Sequence, residues 1–161
     1  MAHRKSAPGT TYVAVVGPGD ASDEDIAVAE AVGRGLGQAG ATVVTGGLGG
    51  VMAAASRGAT NAGGTTVGIL PGTSRADGNE WLTTALPTGV GELRNGLVVR
   101  AADAVIAVGG GYGTLSEVAL ALKIGTPVVG LHTWAIEGVE PVDSPEQAVT
   151  QALRRMAGPR D

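Results

Sequence analysis

The sequence has 161 residues, a formal net charge of -4 and no cysteine. This length suits one domain, the net charge supplies no basic field for nucleic acid, and the lack of cysteine excludes disulfides and thiolate metal sites. No apolar segment approaches the roughly 20 residues that cross a bilayer. We therefore expect a cytoplasmic protein without nucleic-acid or membrane partners and without a bound metal.

The first half of the chain predicts three successive units of strand, loop and helix. Residues 1–10 are interpreted as a flexible tail, and residues 11–158 as the domain. The apolar runs 11–16, 42–45 and 65–70 are predicted strands, and helical periodicity follows the first two. Repeated units of this kind predict an α/β fold: a Rossmann-like, doubly wound parallel sheet in a three-layer, single-domain arrangement.

The second half resumes the pattern after a segment rich in glycine and proline. Residues 71–90 are predicted to be irregular because breakers recur through them. The remaining predicted elements are a helix over 92–102, a strand ending at Val108, a helix over 114–124, a strand over 127–131 and a last helix to about Met156. The sheet is thus predicted to contain five strands.

A glycine-rich turn follows the fourth predicted strand. Gly109, Gly110, Gly111 and Gly113 leave the backbone without Cβ atoms, and a helix pattern begins directly afterwards. Exposed amide N–H groups at a helix N-terminus favour an anion such as phosphate. Thr114 and Glu117 also have the spacing of a capping box, in which both side chains would only satisfy amides of the first turn.

Two further glycine turns, at 17–19 and 46–50, follow the first and second predicted strands. The carboxyl ends of parallel strands share one edge of a sheet, and ligands bind there where the strand order reverses. The three turns together predict a phosphate-bearing ligand. A P-loop and a dinucleotide-binding site are excluded because their sequence motifs are absent. Pyridoxal phosphate is excluded because it needs a lysine for its Schiff base, and neither Lys5 nor Lys123 is placed to reach the crevice.

Several motifs resemble the R-[KN] … D-A … G-G-x-G-T-x-x-E signature of the LONELY GUY-type, "lysine decarboxylase-like" superfamily. They are Arg94-Asn95, Asp103-Ala104 and Gly110-Gly-Tyr-Gly-Thr-Leu-Ser-Glu117, within a likeness that extends from Tyr12 to Leu131. This superfamily includes nucleoside 5′-monophosphate phosphoribohydrolases and molybdenum-cofactor carrier proteins. The resemblance implies a Rossmann-like homodimer that binds a nucleoside monophosphate without a cofactor.

The resemblance also implies which residues act. Arg94 and Glu117 would be the catalytic pair, with phosphate on the 110–114 loop. The residues expected to bind the nucleotide are Gly17, Gly46, Gly47, Asn95, Gly110, Gly111, Tyr112, Gly113 and Thr114. Arg94 as a solvated helix residue and Asn95 as the cap of its own turn are alternatives. Trp81 and Trp134 are interpreted as packing residues, and His132 as without a catalytic role.

Three positions depart from the hydrolase pattern. Gly109 replaces a proline, Asn95 a lysine and Ser116 a frequent acid, and these choices look closer to a carrier-like, functionally unassigned branch of the superfamily. Two hypotheses follow. The first is an AMP-like nucleotide-binding protein with phosphoribohydrolase activity, in which Glu117 stabilises an oxocarbenium-like centre and Arg94 steadies the phosphate or base. The second is a non-catalytic carrier of a nucleotide or pterin phosphate.

Overall fold

Seven parallel strands form one open sheet in the computed structural model, which describes residues 10–156. Apart from Thr10, the predicted tail lies outside the described residues, as do the last two residues of the predicted domain. The strands are β1 (Tyr12–Val16), β2 (Thr42–Thr45), β3 (Thr66–Leu70), β4 (Thr84–Pro87), β5 (Ala104–Val108), β6 (Val128–Leu131) and β7 (Val139–Pro141). Their order is β4-β3-β2-β1-β5-β6-β7.

Helices cover both faces of this sheet, which confirms the predicted three-layer α/β architecture. The helices are α1 (Asp23–Gln38), α2 (Val51–Asn61), α3 (Arg94–Arg100), α4 (Tyr112–Lys123) and α5 (Pro145–Met156). Buried residues of α1, α2 and α5 pack with one face of the sheet, and those of α3 and α4 pack with the other. No helix within residues 10–156 is both long enough and apolar enough to span a membrane.

The central strands are apolar because both of their faces are buried. In β1, Val13 and Val15 belong to the core under α1, α2 and α5, whereas Ala14 and Val16 belong to the core under α3 and α4. Successive side chains of a strand point to opposite faces, so a strand between two helical layers needs a continuous apolar run. The prediction of buried strands from such runs is therefore confirmed.

The edges of the sheet correct the prediction of five strands. The segment 71–90, predicted as irregular, contains a short 3-10 helix at Arg75–Asp77 and the edge strand β4, and β7 forms the opposite edge. Both edge strands are half exposed and end in proline, which an edge tolerates because one row of its N–H groups has no partner strand. Short, half-exposed strands lack the continuous apolar run on which the prediction depended.

The strand order reverses between the first and the fourth predicted strands, which is the usual place in a doubly wound sheet. β1 pairs with β2 on one side and with β5 on the other, so the chain order reverses between β1 and β5. The strand predicted as the fourth is β5. This geometry brings the carboxyl ends of β1, β2 and β5, each followed by a glycine turn, to one edge of the sheet.

Candidate functional site

A cavity of about 310 Å³ opens at this edge. Its size is at the lower end of the range for small-molecule sites, roughly 300–1,000 Å³. All three glycine turns and the start of α3 contribute to its lining. The lining residues are Val15, Val16, Gly17, Pro18, Gly19, Gly46, Met52, Glu92, Arg94, Asn95, Gly111, Gly113, Thr114 and Glu117.

Two of these glycines are required by close packing. A Cβ atom on Gly17 would lie 2.5 Å from the carbonyl oxygen of Val108, at the end of β5. A Cβ atom on Gly46 would lie 2.9 Å from Nη2 of Arg94 and 2.8 Å from Sδ of Met52. Gly46 therefore allows the guanidinium of Arg94 to lie against the backbone of the second turn, and Gly17 lets β1 and β5 meet at the cavity floor.

The N-terminus of α4 supplies unpaired backbone donors to the cavity. The helix begins at Tyr112 with Gly111 as its N-cap, and no side chain caps it. The N–H of Leu115 donates to the carbonyl oxygen of Gly111 at 2.9 Å, and this is the first hydrogen bond of the helix. The amides of residues 111–114 thus precede the helical hydrogen-bond ladder and are available to an anion, which the helix dipole also favours.

The alternative of a capping box at Thr114 and Glu117 is wrong. Because α4 begins at Tyr112, both residues lie inside the helix rather than at its cap. Both side chains are buried, and both residues line the cavity. Neither side chain serves the first-turn amides, so their burial beside a cavity requires another explanation.

Arg94 is held in place by a relay of hydrogen bonds between α3 and α4. Its Nη1 donates to Oδ1 of Asn95. The Nδ2 of Asn95 donates to Oγ of Ser116 at 3.4 Å, and Ser116 donates to the carbonyl oxygen of Gly113 at 2.6 Å. The relay fixes the guanidinium relative to the first turn of α4. Arg94 is only 8% exposed, so the alternative of a solvated helix residue is wrong.

Two buried polar atoms at the cavity have no hydrogen-bond partner. They are Nε of Arg94 and Oγ1 of Thr114, and only four side-chain atoms in residues 10–156 are in this condition. A buried polar atom without a partner costs about 1–3 kcal/mol, so such atoms are uncommon in folded proteins. Two of them on one cavity, next to unpaired helix amides, form a set of donors that a bound anion would satisfy.

Three charged side chains line the cavity, the exposed Glu92 and the buried Arg94 and Glu117, and burial changes the ionisation of the two buried ones. Desolvation raises the pKa of Glu117 from its ordinary value of 4.5 to about 8, and the positive charge of Arg94 opposes this without outweighing it. Desolvation also lowers the pKa of Arg94, while Glu117 and Glu92 oppose that shift. At neutral pH the buried pair in the cavity therefore consists of a guanidinium and a carboxyl group that is mainly protonated. Both are hydrogen-bond donors.

The structure brings most of the predicted site residues together. Gly17, Gly46, Arg94, Asn95, Gly111, Gly113, Thr114 and Glu117 all line the cavity. Gly47, Gly110 and Tyr112 do not: the N–H of Gly47 donates to Oγ1 of Thr45 at 3.0 Å, Gly110 lies against Trp134, and Tyr112 is 93% exposed.

Sequence reasoning did not assign a role to several lining residues, among them Met52 and Glu92. Met52 belongs to a predicted helix and to a motif, Gly50-Val-Met52, that matches the superfamily, and Glu92 begins a predicted helix. Their positions beside a glycine turn and beside the Arg94 motif were further signals. Within residues 10–156 no group of three or more His, Asp or Glu side chains is arranged to hold a metal ion.

Known proteins resemble this chain in sequence and in structure. A model of the SLOG cluster4 family matches residues 10–157. An uncharacterized protein of Archaeoglobus fulgidus is 39% identical over 142 residues, which cover 88% of this chain and 93% of that protein. The molybdenum cofactor binding protein of Rippkaea orientalis superposes with a TM-score of 0.88 at 34% identity, covering 94% of this chain and all of that one (100%). The molybdenum cofactor carrier protein of Chlamydomonas reinhardtii gives a TM-score of 0.81 at 32% identity, with coverages of 91% and 98%.

Proposed function

The chain belongs to the SLOG cluster4 family, and from this premise we propose that it binds a phosphorylated small molecule in the cavity between β1 and β5 without converting it. The observation that carries the proposal is the pair of unpaired buried atoms, Nε of Arg94 and Oγ1 of Thr114, beside the unpaired amides of α4. A phosphate group has enough acceptor oxygens to satisfy these donors together. No other part of the cavity offers a comparable set.

The ligand we favour is a pterin phosphate of the molybdenum-cofactor type, and the chain would act as its carrier in the cytoplasm. Two similar solved structures are described as molybdenum cofactor binding and carrier proteins. Two positions that depart from the hydrolase pattern, Asn95 and Ser116, form the relay that holds Arg94. A lysine and an acid there would place two charges on the relay, whereas the amide and hydroxyl hold Arg94 without them.

The ionisation of Glu117 favours binding over hydrolysis. Stabilising an oxocarbenium-like centre requires a negatively charged carboxylate. With its pKa raised to about 8, Glu117 is mainly neutral at pH 7 and can donate a hydrogen bond to a phosphate oxygen. Phosphoribohydrolase activity on an AMP-like nucleoside monophosphate remains the second candidate, because Arg94 and Glu117 face the same cavity.

Calorimetric titration tests whether the cavity binds phosphate, and analysis of the products tests whether the protein hydrolyses AMP. Purified protein is titrated with ribose 5-phosphate, AMP and inorganic phosphate, and the AMP samples are then analysed chromatographically for free adenine. We expect binding without release of adenine. Replacing Arg94 with glutamine should weaken binding about tenfold to a hundredfold, since a charge-assisted hydrogen bond contributes roughly 1.5–3 kcal/mol.

The matched control is Arg100→Gln, which removes an exposed arginine from the same helix. It should leave the affinities unchanged. Equal affinities for wild type and Arg94→Gln would refute the phosphate site. Release of adenine that is lost in Glu117→Gln would instead establish the hydrolase.

We also propose that the protein is a homodimer, with the second copy covering an apolar surface beside the cavity. Leu93 and Leu97 lie one helical turn apart and are 79% and 45% exposed, and Glu92 and Arg94 of the cavity flank Leu93. Light scattering after size exclusion should show a dimer that Leu93→Asp converts to a monomer. A wild-type monomer at micromolar concentration would contradict the proposal.

A further inference from the structure

A second cavity, of about 410 Å³, lies beyond the carboxyl end of β6. It is formed by the connection from β6 to β7 and by β7 itself, and none of its residues lines the first cavity. One wall is apolar, with Ile136, Val139 and Val142, and Trp134 forms part of the opening, where it is 38% exposed. Trp134 thus lines this cavity as well as packing against the fold.

The glycine turn after β5 separates the two cavities and positions the indole. A Cβ atom on Gly110 would lie 3.0 Å from Cζ2 of Trp134, so the ring rests directly on the backbone of this turn. Gly111, the next residue, lines the first cavity. The indole therefore has a fixed position on one side of a turn whose other side faces the proposed phosphate site.

The second cavity also contains a buried polar atom without a partner, Oγ1 of Thr133. Thr133 can pack there because a glycine precedes it in β6: a Cβ atom on Gly130 would lie 2.5 Å from Cγ2 of Thr133. Of the four unpaired buried side-chain atoms in residues 10–156, three thus belong to residues that line one of the two cavities. A hydroxyl can accept or donate one hydrogen bond to a ligand here.

The side chains around this cavity offer no cationic clamp for a phosphate of the kind that Arg94 gives the first cavity. Among the described residues that line it there is no lysine or arginine, and Glu137 contributes a carboxylate. His132, which also lines the cavity, lies with Nδ1 3.3 Å from Oδ1 of Asp25 and with Nε2 3.8 Å from Oε1 of Glu24. Glu137 is the acidic side chain of the lining, and its carboxylate can accept hydrogen bonds from a ligand with N–H donors.

We propose that this second cavity binds a flat, uncharged nitrogen heterocycle of the guanine type, stacked on Trp134, with its N–H groups donating to Glu137 and Thr133. Proteins read such rings by aromatic stacking together with hydrogen bonds to the polar edge. A carboxylate matches the adjacent N–H and amino groups of a guanine-type ring. This site goes beyond the proposed phosphate cavity and does not depend on it.

The experiment uses guanosine, which has the ring but no phosphate, and the intrinsic fluorescence of Trp134. The chain has two tryptophans, so Trp81→Phe leaves Trp134 as the only tryptophan, and excitation at the red edge of the absorption band excludes emission from the two tyrosines. Guanosine should quench this emission saturably, after correction for absorption with free N-acetyltryptophanamide. Ribose 5-phosphate should neither quench it nor compete. In calorimetry, Trp134→Leu should weaken guanosine binding roughly tenfold or more, in the range that base stacking contributes.

Two further variants test the proposed carboxylate contact and the independence of the two sites. Glu137→Gln changes an exposed side chain and should weaken guanosine binding while leaving the unfolding temperature unchanged. Arg94→Gln should leave guanosine binding intact even where it abolishes ribose 5-phosphate binding, so failure of the phosphate site and failure of this site are distinguished. Absence of saturable quenching, or quenching that ribose 5-phosphate or Arg94→Gln abolishes, would overturn the proposal.

Discussion

Replacing Glu117 with glutamine should remove a pH-dependent part of the stability of this protein. The pKa of Glu117 is about 8 in the folded chain and close to its ordinary value of 4.5 when unfolded, so between these values the folded state binds a proton that the unfolded state lacks. Stability then falls as pH rises, by up to about 1.4 kcal/mol per pH unit. From pH 5.5 to pH 7.5 the expected loss is up to about 3 kcal/mol.

Urea unfolding at half-unit steps of pH measures this effect. Wild type should lose free energy of unfolding relative to Glu117→Gln from about pH 5 upward, and the difference should level off above about pH 8. Glu80→Gln, which neutralises an exposed carboxylate, is the matched control and should follow the wild-type curve. If the curves of wild type and Glu117→Gln run parallel across this range, Glu117 is ionised in the folded protein and the argument for a neutral carboxyl in the cavity fails.

Three further predictions follow from the same cavity. Thr114→Val removes an unpaired buried hydroxyl and should raise the free energy of unfolding by about 1 kcal/mol in urea while weakening ribose 5-phosphate binding; reduced stability would show that the hydroxyl has a partner. Gly17→Ala places a Cβ atom 2.5 Å from the carbonyl oxygen of Val108 and should destabilise the fold by about 1–3 kcal/mol in thermal unfolding; an unchanged transition would contradict this packing. Ribose 5-phosphate affinity should fall as pH rises through about 8, where Glu117 ionises, and should stay flat in Glu117→Gln when measured calorimetrically; equal pH profiles would refute the coupling.

The central part of the fold could be predicted from the sequence because burial on both faces leaves a clear pattern. β1, β2, β3, β5 and β6 are short apolar runs followed by turns, and each was predicted to within a residue or two. β4 and β7 were missed since they lie at the edges, where alternate positions are exposed and no continuous apolar run is needed. The position of strand reversal followed from the usual strand order of doubly wound sheets, and the glycine turns indicated which strand ends meet there.

The site was predictable in its location but not in its chemistry. Glycine turns at successive strand ends indicated where Gly17, Gly46 and Gly111 would meet. The spacing of Thr114 and Glu117 fitted a capping box and a ligand site equally well, and the start of α4, two residues before Thr114, excludes the capping box. The neutral state of Glu117 depends on burial by neighbours from other elements, which no local pattern encodes.

The distribution of unsatisfied groups connects these observations to function. A chain that only needed to fold could replace Thr114 with valine, and it would avoid burying Nε of Arg94 without a partner, since each such atom costs about 1–3 kcal/mol. Glycine at position 46 admits the guanidinium, the Asn95–Ser116 relay fixes it, and burial keeps Glu117 protonated beside it. These features lower the stability of the unliganded protein, and all of them increase the number of hydrogen-bond donors that face the first cavity. They are what the proposed anion site requires, because an anion bound there would complete the hydrogen bonds of these donors.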